Sequence, residues 1–266
     1  MIQLPSHPTI LGAIAGDVIG SIYEMKEIDS FDFDFYDERC RFTDDTILTV
    51  AVADCILNQK DYAKTIWKYG RKYPGRGFGG TFRKWLESEE RQPYGSFGNG
   101  SAMRVSAVGF AYDDLDQVLA VAKQSAEVTH NHLEGIKGAQ ATAAAIFLAR
   151  TGKSKAEIRQ YIAHTFAYDL NFTVEFLRPH YGFDVSCQGS VPQAIVAFLD
   201  GSDYENTIRL AISLNGDSDT IACIAGGIAA AYYKAIPQEI LEFVVGKLDE
   251  ELLEVVLVFE ERYKFK

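Results

Sequence analysis

Residues 136–149, Ile136-Lys137-Gly138-Ala139-Gln140-Ala141-Thr142-Ala143-Ala144-Ala145-Ile146-Phe147-Leu148-Ala149, decide the fold class. The stretch is Ala-rich and apolar at helical spacing, and it is too long for a buried strand. Residues 118–126 and 191–199 have the same character, as do Leu48, Val50, Ala51, Ala53 and Ile56 after Asp45. Residues 221–233 and 240–259 continue it toward the C-terminus. Runs of small residues at 139–145 and 225–231 suit helices packed closely in a thick bundle. Alternating period-two segments bounded by Asn-Gly or Asp-Gly turns are nearly absent. The best strand candidate, residues 31–36, alternates Phe and Asp, and one segment makes no sheet. The expected fold is therefore all-α.

The chain has 266 residues, 26 Lys and Arg against 37 Asp and Glu, and a formal net charge of −11. That balance, without a basic stripe, excludes a surface that binds duplex DNA or anionic membrane by displacing counterions. A hydrophobic content of 47% excludes a disordered chain. Cys40, Cys55, Cys187 and Cys223 lie far apart with no Cys-x-x-Cys pair, which points to free thiols in a reducing cytoplasm. Residues 1–20 have no Lys or Arg ahead of their apolar stretch, and Asp17 interrupts it, so they do not read as a signal peptide. The uncharged stretch 220–233 is 14 residues, short of a membrane span. Irregular segments fall at 24–41, 74–80, 93–100 and 177–192, and none is a linker, so residues 1–266 read as a single domain.

One short motif occurs twice. Thr43-Asp44-Asp45-Thr46-Ile47 and Asp217-Ser218-Asp219-Thr220-Ile221 each pair two acids, end in Asp-Thr-Ile and lead into an apolar helix. Helix capping accounts for one acid in each motif but not for two. A second carboxylate beside the first is costly unless a cation neutralises it, and hard oxygen ligands suit Mg²⁺ or Mn²⁺ rather than Zn²⁺. The alternative is a pair of capped helices with solvated acids. The two motifs are 172 positions apart, so the question is whether they meet in space.

Other features carry weaker signals. Gly75-Arg76-Gly77-Phe78-Gly79-Gly80 satisfies the Gly-x-Gly-x-x-Gly pattern, but no strand precedes it, and it reads as a turn-rich loop. Gly95-Ser96-Phe97-Gly98-Asn99-Gly100-Ser101 opens a helix at Ala102 and offers either a phosphate cradle or an ordinary loop and cap. His130-Asn131-His132 precedes a helix and reads as structural or substrate-facing rather than as a zinc site. Glu24 alone is one more acid in a loop. Residues 239–261 hold eight acids around an apolar stripe, which reads as an amphipathic helix or pair with a solvated face.

Taken in order, Gly12-Ala13-Ile14-Ala15-Gly16-Asp17-Val18-Ile19-Gly20, Phe42-Thr43-Asp44-Asp45-Thr46, Gly98-Asn99-Gly100-Ser101-Ala102-Met103-Arg104, Thr129-His130 and Gly216-Asp217-Ser218-Asp219-Thr220-Ile221 resemble the ADP-ribosylglycohydrolase family. The resemblance spans nearly the whole chain and fades after Ala235. It implies an orthogonal multi-helix bundle with a binuclear centre of two Mg²⁺ or Mn²⁺ ions. Thr43, Asp44, Asp45, Asp217, Asp219 and Thr220 would supply its ligands, and Glu24 would be the catalytic acid/base or orient water. By the same resemblance, Ser96, Phe97, Gly98, Asn99, Gly100 and Ser101 would bind substrate, with Phe97 stacking on adenine. His130 would sit beside the substrate-proximal ribose, with His132 as a second contact. Leu133 stands where close bacterial relatives carry proline.

The implied activity is hydrolysis of an N- or O-glycosidic bond between ADP-ribose and a protein side chain or small molecule. ADP-ribose would be the product. Two rivals make different products. A metal-dependent phosphohydrolase would release phosphate or a nucleotide monophosphate, and a non-catalytic ADP-ribose-binding protein would release nothing.

Overall fold

The structure is a computed structural model and describes residues 4–24, 26–28 and 30–264. Residues 1–3, 265 and 266, and Met25 and Asp29 of the acidic stretch, lie outside the described residues. In chain order the first helices are α1 (Leu11–Gly20), α2 (Asp44–Asn58), α3 (Tyr62–Lys72), α4 (Gly80–Glu87), α5 (Gly100–Met103), α6 (Ser106–Ala111), α7 (Leu115–Glu127) and α8 (Leu133–Arg150). They are followed by α9 (Lys155–Phe166), α10 (Val174–Leu177), α11 (Cys187–Asp200), α12 (Tyr204–Ile212), α13 (Ser218–Tyr233), α14 (Gln238–Val245) and α15 (Glu250–Arg262). No strand forms among the described residues, which leaves an isolated bridge between Gly98 and Ser186. The chain is all-α, and none of its described helices is long and apolar enough to cross a membrane.

The best strand candidate, residues 31–36, is a loop, as expected of a single alternating segment with no neighbouring strand to take up its carbonyls. Arg209 Nη1 donates to the Phe31 and Phe33 carbonyls at 3.0 Å each, and its guanidinium lies 4.3 Å over the Phe35 ring. One helix boundary differs from expectation. Helix α11 starts at Cys187 and runs through Pro192, because Ser186 Oγ caps it by accepting from Gly189 N–H at 3.0 Å. The run 240–259, expected as an amphipathic helix or pair, is a pair, divided between α14 and α15 where Asp249 caps the second helix by accepting from Leu252 N–H at 2.9 Å. Leu133 is the first residue of α8 after the cap His132, the position at which proline is also well tolerated.

The centre of the bundle is α1 laid antiparallel on α13. Helix α1 is apolar nearly all round and every one of its residues is buried. Gly12, Gly16 and Gly20 recur every four residues and form one face. A Cβ on Gly16 would stand 2.0 Å from the Ala222 carbonyl oxygen, and one on Gly20 would stand 2.6 Å from Asp219 Cα. Only glycine lets the two backbones touch in this way. The contact brings the C-terminal end of α1 against the N-terminal end of α13. Helices α8, α11 and α12 pack around α13, and α2 rests against α1 and α15.

The other end of α1 is held from the far terminus of the chain. Its cap residue, Ile10, has no side chain able to bind the first amides. Glu260 of α15 does so instead, accepting from Thr9 N–H at 2.7 Å and Leu11 N–H at 2.9 Å. Glu260 is only 2% exposed, so this acid of the C-terminal stretch departs from the expected solvated face. Burial pushes its carboxyl up to about 7, against the pull of those amide hydrogen bonds. All four cysteines are buried and unpaired.

Candidate metal centre and active-site cavity

The two Asp motifs do meet, and neither is consumed by capping. Helix α2 is capped by Thr43, whose Oγ1 accepts from Asp45 N–H at 3.3 Å, so the Asp44 and Asp45 carboxylates are left over. At the start of α13, the cap residue Asp217 makes no side-chain capping bond. The α1–α13 contact places Asp219 beside the end of α1, and Asp17 draws in α2. Asp17 is fully buried. It accepts the Thr43 N–H at 3.0 Å, the Thr43 hydroxyl at 2.6 Å, the Thr46 N–H at 3.0 Å and the Thr46 hydroxyl. Three helix ends therefore converge on one point.

Two groups of carboxylates result, each with ligand atoms within 4.8 Å of one another: Asp17, Asp45 and Asp219, and Glu24, Asp217 and Asp219. Asp219 belongs to both. Asp44 belongs to neither but lines the same cavity. Thr220 Oγ1 donates to Asp45 Oδ2 at 3.3 Å, while Asp45 Oδ1 is buried with no hydrogen-bond partner. Burial, reinforced by the neighbouring carboxylates, holds Asp44, Asp45 and Asp219 well above the ordinary carboxylate range. Burial also raises Asp17, although its bonds to Thr43 and Thr46 oppose the shift. Half-buried Glu24 is raised by burial and then by the charge of Asp217. Acids placed this close do not all ionise without a cation. The all-oxygen donor set and the orphaned Asp45 oxygen fit a hard divalent ion such as Mg²⁺ or Mn²⁺.

The cavity holds about 320 Å³. Glu24, Asp44, Asp45, Asp217, Asp219 and Thr220 share its lining with Ser96, Gly98, Asn99, Gly100 and His130. Asn99 joins the two sets, its Nδ2 donating to Asp217 Oδ2 at 2.7 Å and to Ser190 Oγ at 2.9 Å. The remaining expected site residues sit elsewhere. Thr43 faces Asp17, and buried Ser101 donates its hydroxyl to the Gly135 carbonyl at 2.7 Å. His132 caps α8, its Nδ1 accepting from Glu134 N–H at 3.1 Å. Phe97 is 49% exposed, with its ring 5.4 Å from the His132 ring. The phosphate-cradle reading of the 95–101 loop assumed a helix dipole and free amides. Helix α5 is only four residues long. Moreover, Gly98 N–H bonds to Ser96 Oγ at 3.1 Å and Asn99 N–H to the Val185 carbonyl at 2.8 Å.

Sequence reasoning missed several residues. Asp17 read as an interruption of an apolar stretch and as part of the 12–20 motif, with no role in the site. The glycine loop 75–80, set aside as a turn, lines the cavity through Gly77, Gly79 and Gly80. Gly77 has φ +105°, and a Cβ there would stand 2.4 Å from Asp44 Oδ1. The Arg76 carbonyl accepts Asp44 N–H at 2.7 Å, so the loop clamps this acid from both sides. Arg104, fully buried, also lines the cavity, as does Tyr94.

The model of the ADP-ribosylglycohydrolase family matches residues 7–264. The chain belongs to the ADP-ribosylglycohydrolase family, a family of hydrolases that act on ADP-ribosylated substrates. It is 28% identical to the ADP-ribosylhydrolase ARH3 of Mus musculus, covering 84% of this chain and 82% of that protein. The human ARH3 is likewise 28% identical, with 84% of each chain covered. An uncharacterized protein of Archaeoglobus fulgidus is 29% identical over 92% of both chains. A solved structure described as an ADP-ribosylglycohydrolase-related protein complex shares the fold at TM-score 0.70 and 22% identity, covering 96% of each chain.

Proposed function

We propose that this protein hydrolyses the N- or O-glycosidic bond between ADP-ribose and an acceptor, a protein side chain or a small molecule, with a binuclear Mg²⁺ or Mn²⁺ centre. The observation that carries the reading is the convergence of Asp45, Asp219 and their carboxylate neighbours in one cavity, with Asp45 Oδ1 left without a partner. Asp44, Asp45, Asp217, Asp219 and Thr220 would hold the ions, with Thr43 at the edge of the set. Bound there, the ions would neutralise the acids and supply Lewis-acid grip on ribose hydroxyls and water.

The protein's own groups account for the rest. Glu24 stands beside Asp217 with its carboxyl raised, so it keeps a proton into the pH range where an ordinary carboxyl has lost it. It would pass that proton from its carboxyl oxygen to the leaving heteroatom, or hold the attacking water on return. Such a bond breaks through an oxocarbenium-like state, which a fixed ribose ring reaches more easily. Gly98 and Gly100 present no side chain, so a diphosphate would approach the 96–101 backbone closely. Phe97 would stack on adenine beside His132, and His130 would contact the ribose next to the reacting carbon. Asp17 would act by holding Thr43 and Thr46, and with them the start of α2, in place.

We take the chain as a single cytoplasmic domain. The unpaired buried cysteines and the contact of α15 with α2 support that reading. Mass spectrometry of the products from a panel of defined ADP-ribosylated substrates, with and without Mg²⁺, tests the proposal. Intact ADP-ribose released only with the metal is expected. Release of phosphate or a nucleotide monophosphate would instead mark a phosphohydrolase, and binding without product a non-catalytic receptor.

A further inference from the structure

Arg104 is the one cationic, fully buried residue of the cavity lining, and its bonds go to the Ser125 carbonyl and the Thr129 hydroxyl, with no ion pair to a carboxylate among the described residues. Burial lowers its guanidinium to about 10, which leaves it charged at neutral pH. Nη2 donates to the Ser125 carbonyl at 2.8 Å and to Thr129 Oγ1 at 2.9 Å, while Nε and Nη1 have no partner. Thr129 Oγ1 in turn lies 2.7 Å from His130 Nδ1. These three side chains form a chain of contacts ending in the cavity.

The direction of that chain follows from donor and acceptor chemistry. Arginine only donates, so Thr129 Oγ1 accepts from Arg104. The threonine has a single hydroxyl proton, and Thr129 is fully buried. If His130 Nδ1 carried a proton, both neighbours of Thr129 Oγ1 would be donors and the hydroxyl proton would be left unpaired, which is costly in a buried site. The arrangement that satisfies both the Thr129 hydroxyl and His130 Nδ1 has the hydroxyl donating to an unprotonated Nδ1. The imidazole proton then sits on Nε2. Nε2 faces the glycine floor, 3.1 Å from where a Cβ on Gly100 would be and 3.7 Å from one on Gly98. Burial and the Arg104 charge keep the ring neutral.

We infer that Arg104 and Thr129 are positioning residues that lock His130 in its Nε2–H form, aimed across Gly98 and Gly100 as a fixed hydrogen-bond donor to an oxygen of the ligand. An Nδ1–H ring would present a lone pair there and repel the same oxygen. The glycines matter because any side chain at Gly100 would fill the space between Nε2 and the ligand. The acceptor is an oxygen of the ribose or of the diphosphate, and the two are separable by experiment.

The tautomer can be read directly by long-range ¹⁵N–¹H NMR on histidine-labelled protein, with the His130 signal assigned by its loss in His130→Asn. The expected result is a neutral ring with the proton on Nε2 in the wild type, a mixture of tautomers in Thr129→Val, and restoration in Thr129→Ser. A proton on Nδ1 in the wild type, or an unchanged Nε2–H ring in Thr129→Val, overturns the inference. This arm does not depend on the identity of the ligand. The second arm rests on the proposed function and uses calorimetry with ADP-ribose, ADP and adenosine. Thr129→Val should weaken ADP-ribose about tenfold, and Thr129→Ser should restore it. A loss confined to ADP-ribose assigns the donor to the terminal ribose, and an equal loss for ADP, with adenosine binding unchanged, assigns it to the diphosphate. Unchanged affinity for ADP-ribose and ADP overturns the ligand contact even where the tautomer holds.

Discussion

Among the described residues, Asp54 is a buried acid that pairs with Lys60 at 2.7 Å, whereas the buried acids at the two ends of α1 have no basic partner and are satisfied in opposite ways. Glu260 is alone, and its two oxygens meet two backbone amides at the start of α1. The Asp cluster at the other end of α1 crowds Asp17, Asp45, Asp217 and Asp219 together, and Asp45 Oδ1 finds no donor at all. Asp17 shows the boundary between the cases, since it sits in the cluster yet receives both the amide and the hydroxyl of Thr43 and of Thr46. A buried carboxylate with enough donors is a structural clamp. Buried carboxylates that lack donors need a positive charge from outside the chain.

The contrast is most exposed to failure in activity. Asp219→Ala removes the acid common to both groups and should reduce Mg²⁺-dependent release of ADP-ribose on the order of 10³-fold. Glu260→Gln, far from the cavity lining, should leave turnover of the folded enzyme within a small factor of wild type. Equal losses in the two variants would erase the distinction drawn between them.

The next effect concerns pH. A Glu260 carboxyl raised from 4.5 to about 7 in the folded protein binds its proton more tightly there than in the unfolded chain. Between those values the folded state holds more protons, so this contribution to stability falls as pH rises, by about 3 kcal/mol across the window. Denaturant unfolding at pH 4.5 and pH 7 should show that fall in wild type and a shallower one in Glu260→Gln. Parallel pH dependences would mean that Glu260 titrates normally.

Metal should act at the cluster and not at the clamp. With Mn²⁺ at 100 times its dissociation constant, folding should gain about 2.7 kcal/mol for each ion bound, seen as a rise of several degrees in Tm. The rise should persist in Glu260→Gln and vanish in Asp219→Ala. The smallest effect is expected at Gly77→Ala, which strains a residue at φ +105° and crowds Asp44 Oδ1. Activity should fall about tenfold, a loss of ~1.4 kcal/mol, with little change in Tm in the absence of metal. A large Tm loss without a matching activity loss would reassign the loop to stability alone.

Much of the fold was legible because helical apolar spacing is a local property. The small-residue runs in α8 and α13 announced close packing, and the paired acids announced a question about charge. Long-range donors were not legible. Nothing in the sequence tells that Asp17 accepts from Thr43 and Thr46, that Glu260 caps α1, or that Arg104 reaches Thr129. The Phe-Asp alternation at 31–36 makes no strand because a strand needs a neighbour, and here Arg209 takes the carbonyls. Pro192 misled because a cap at Ser186, five residues upstream of the expected start, carried α11 through it. The Gly12, Gly16 and Gly20 spacing was the one visible signal that α1 touches another backbone, and that contact brings the motifs together.

The central claim is that the converged carboxylates hold two divalent ions through a shared Asp219. Isothermal titration of the metal-free protein with Mn²⁺ tests it most directly. Wild type should bind two ions, and Asp219→Ala, verified as folded by circular dichroism, should bind none tightly. Absence of binding in wild type, or an unchanged stoichiometry and affinity in Asp219→Ala, would contradict the account.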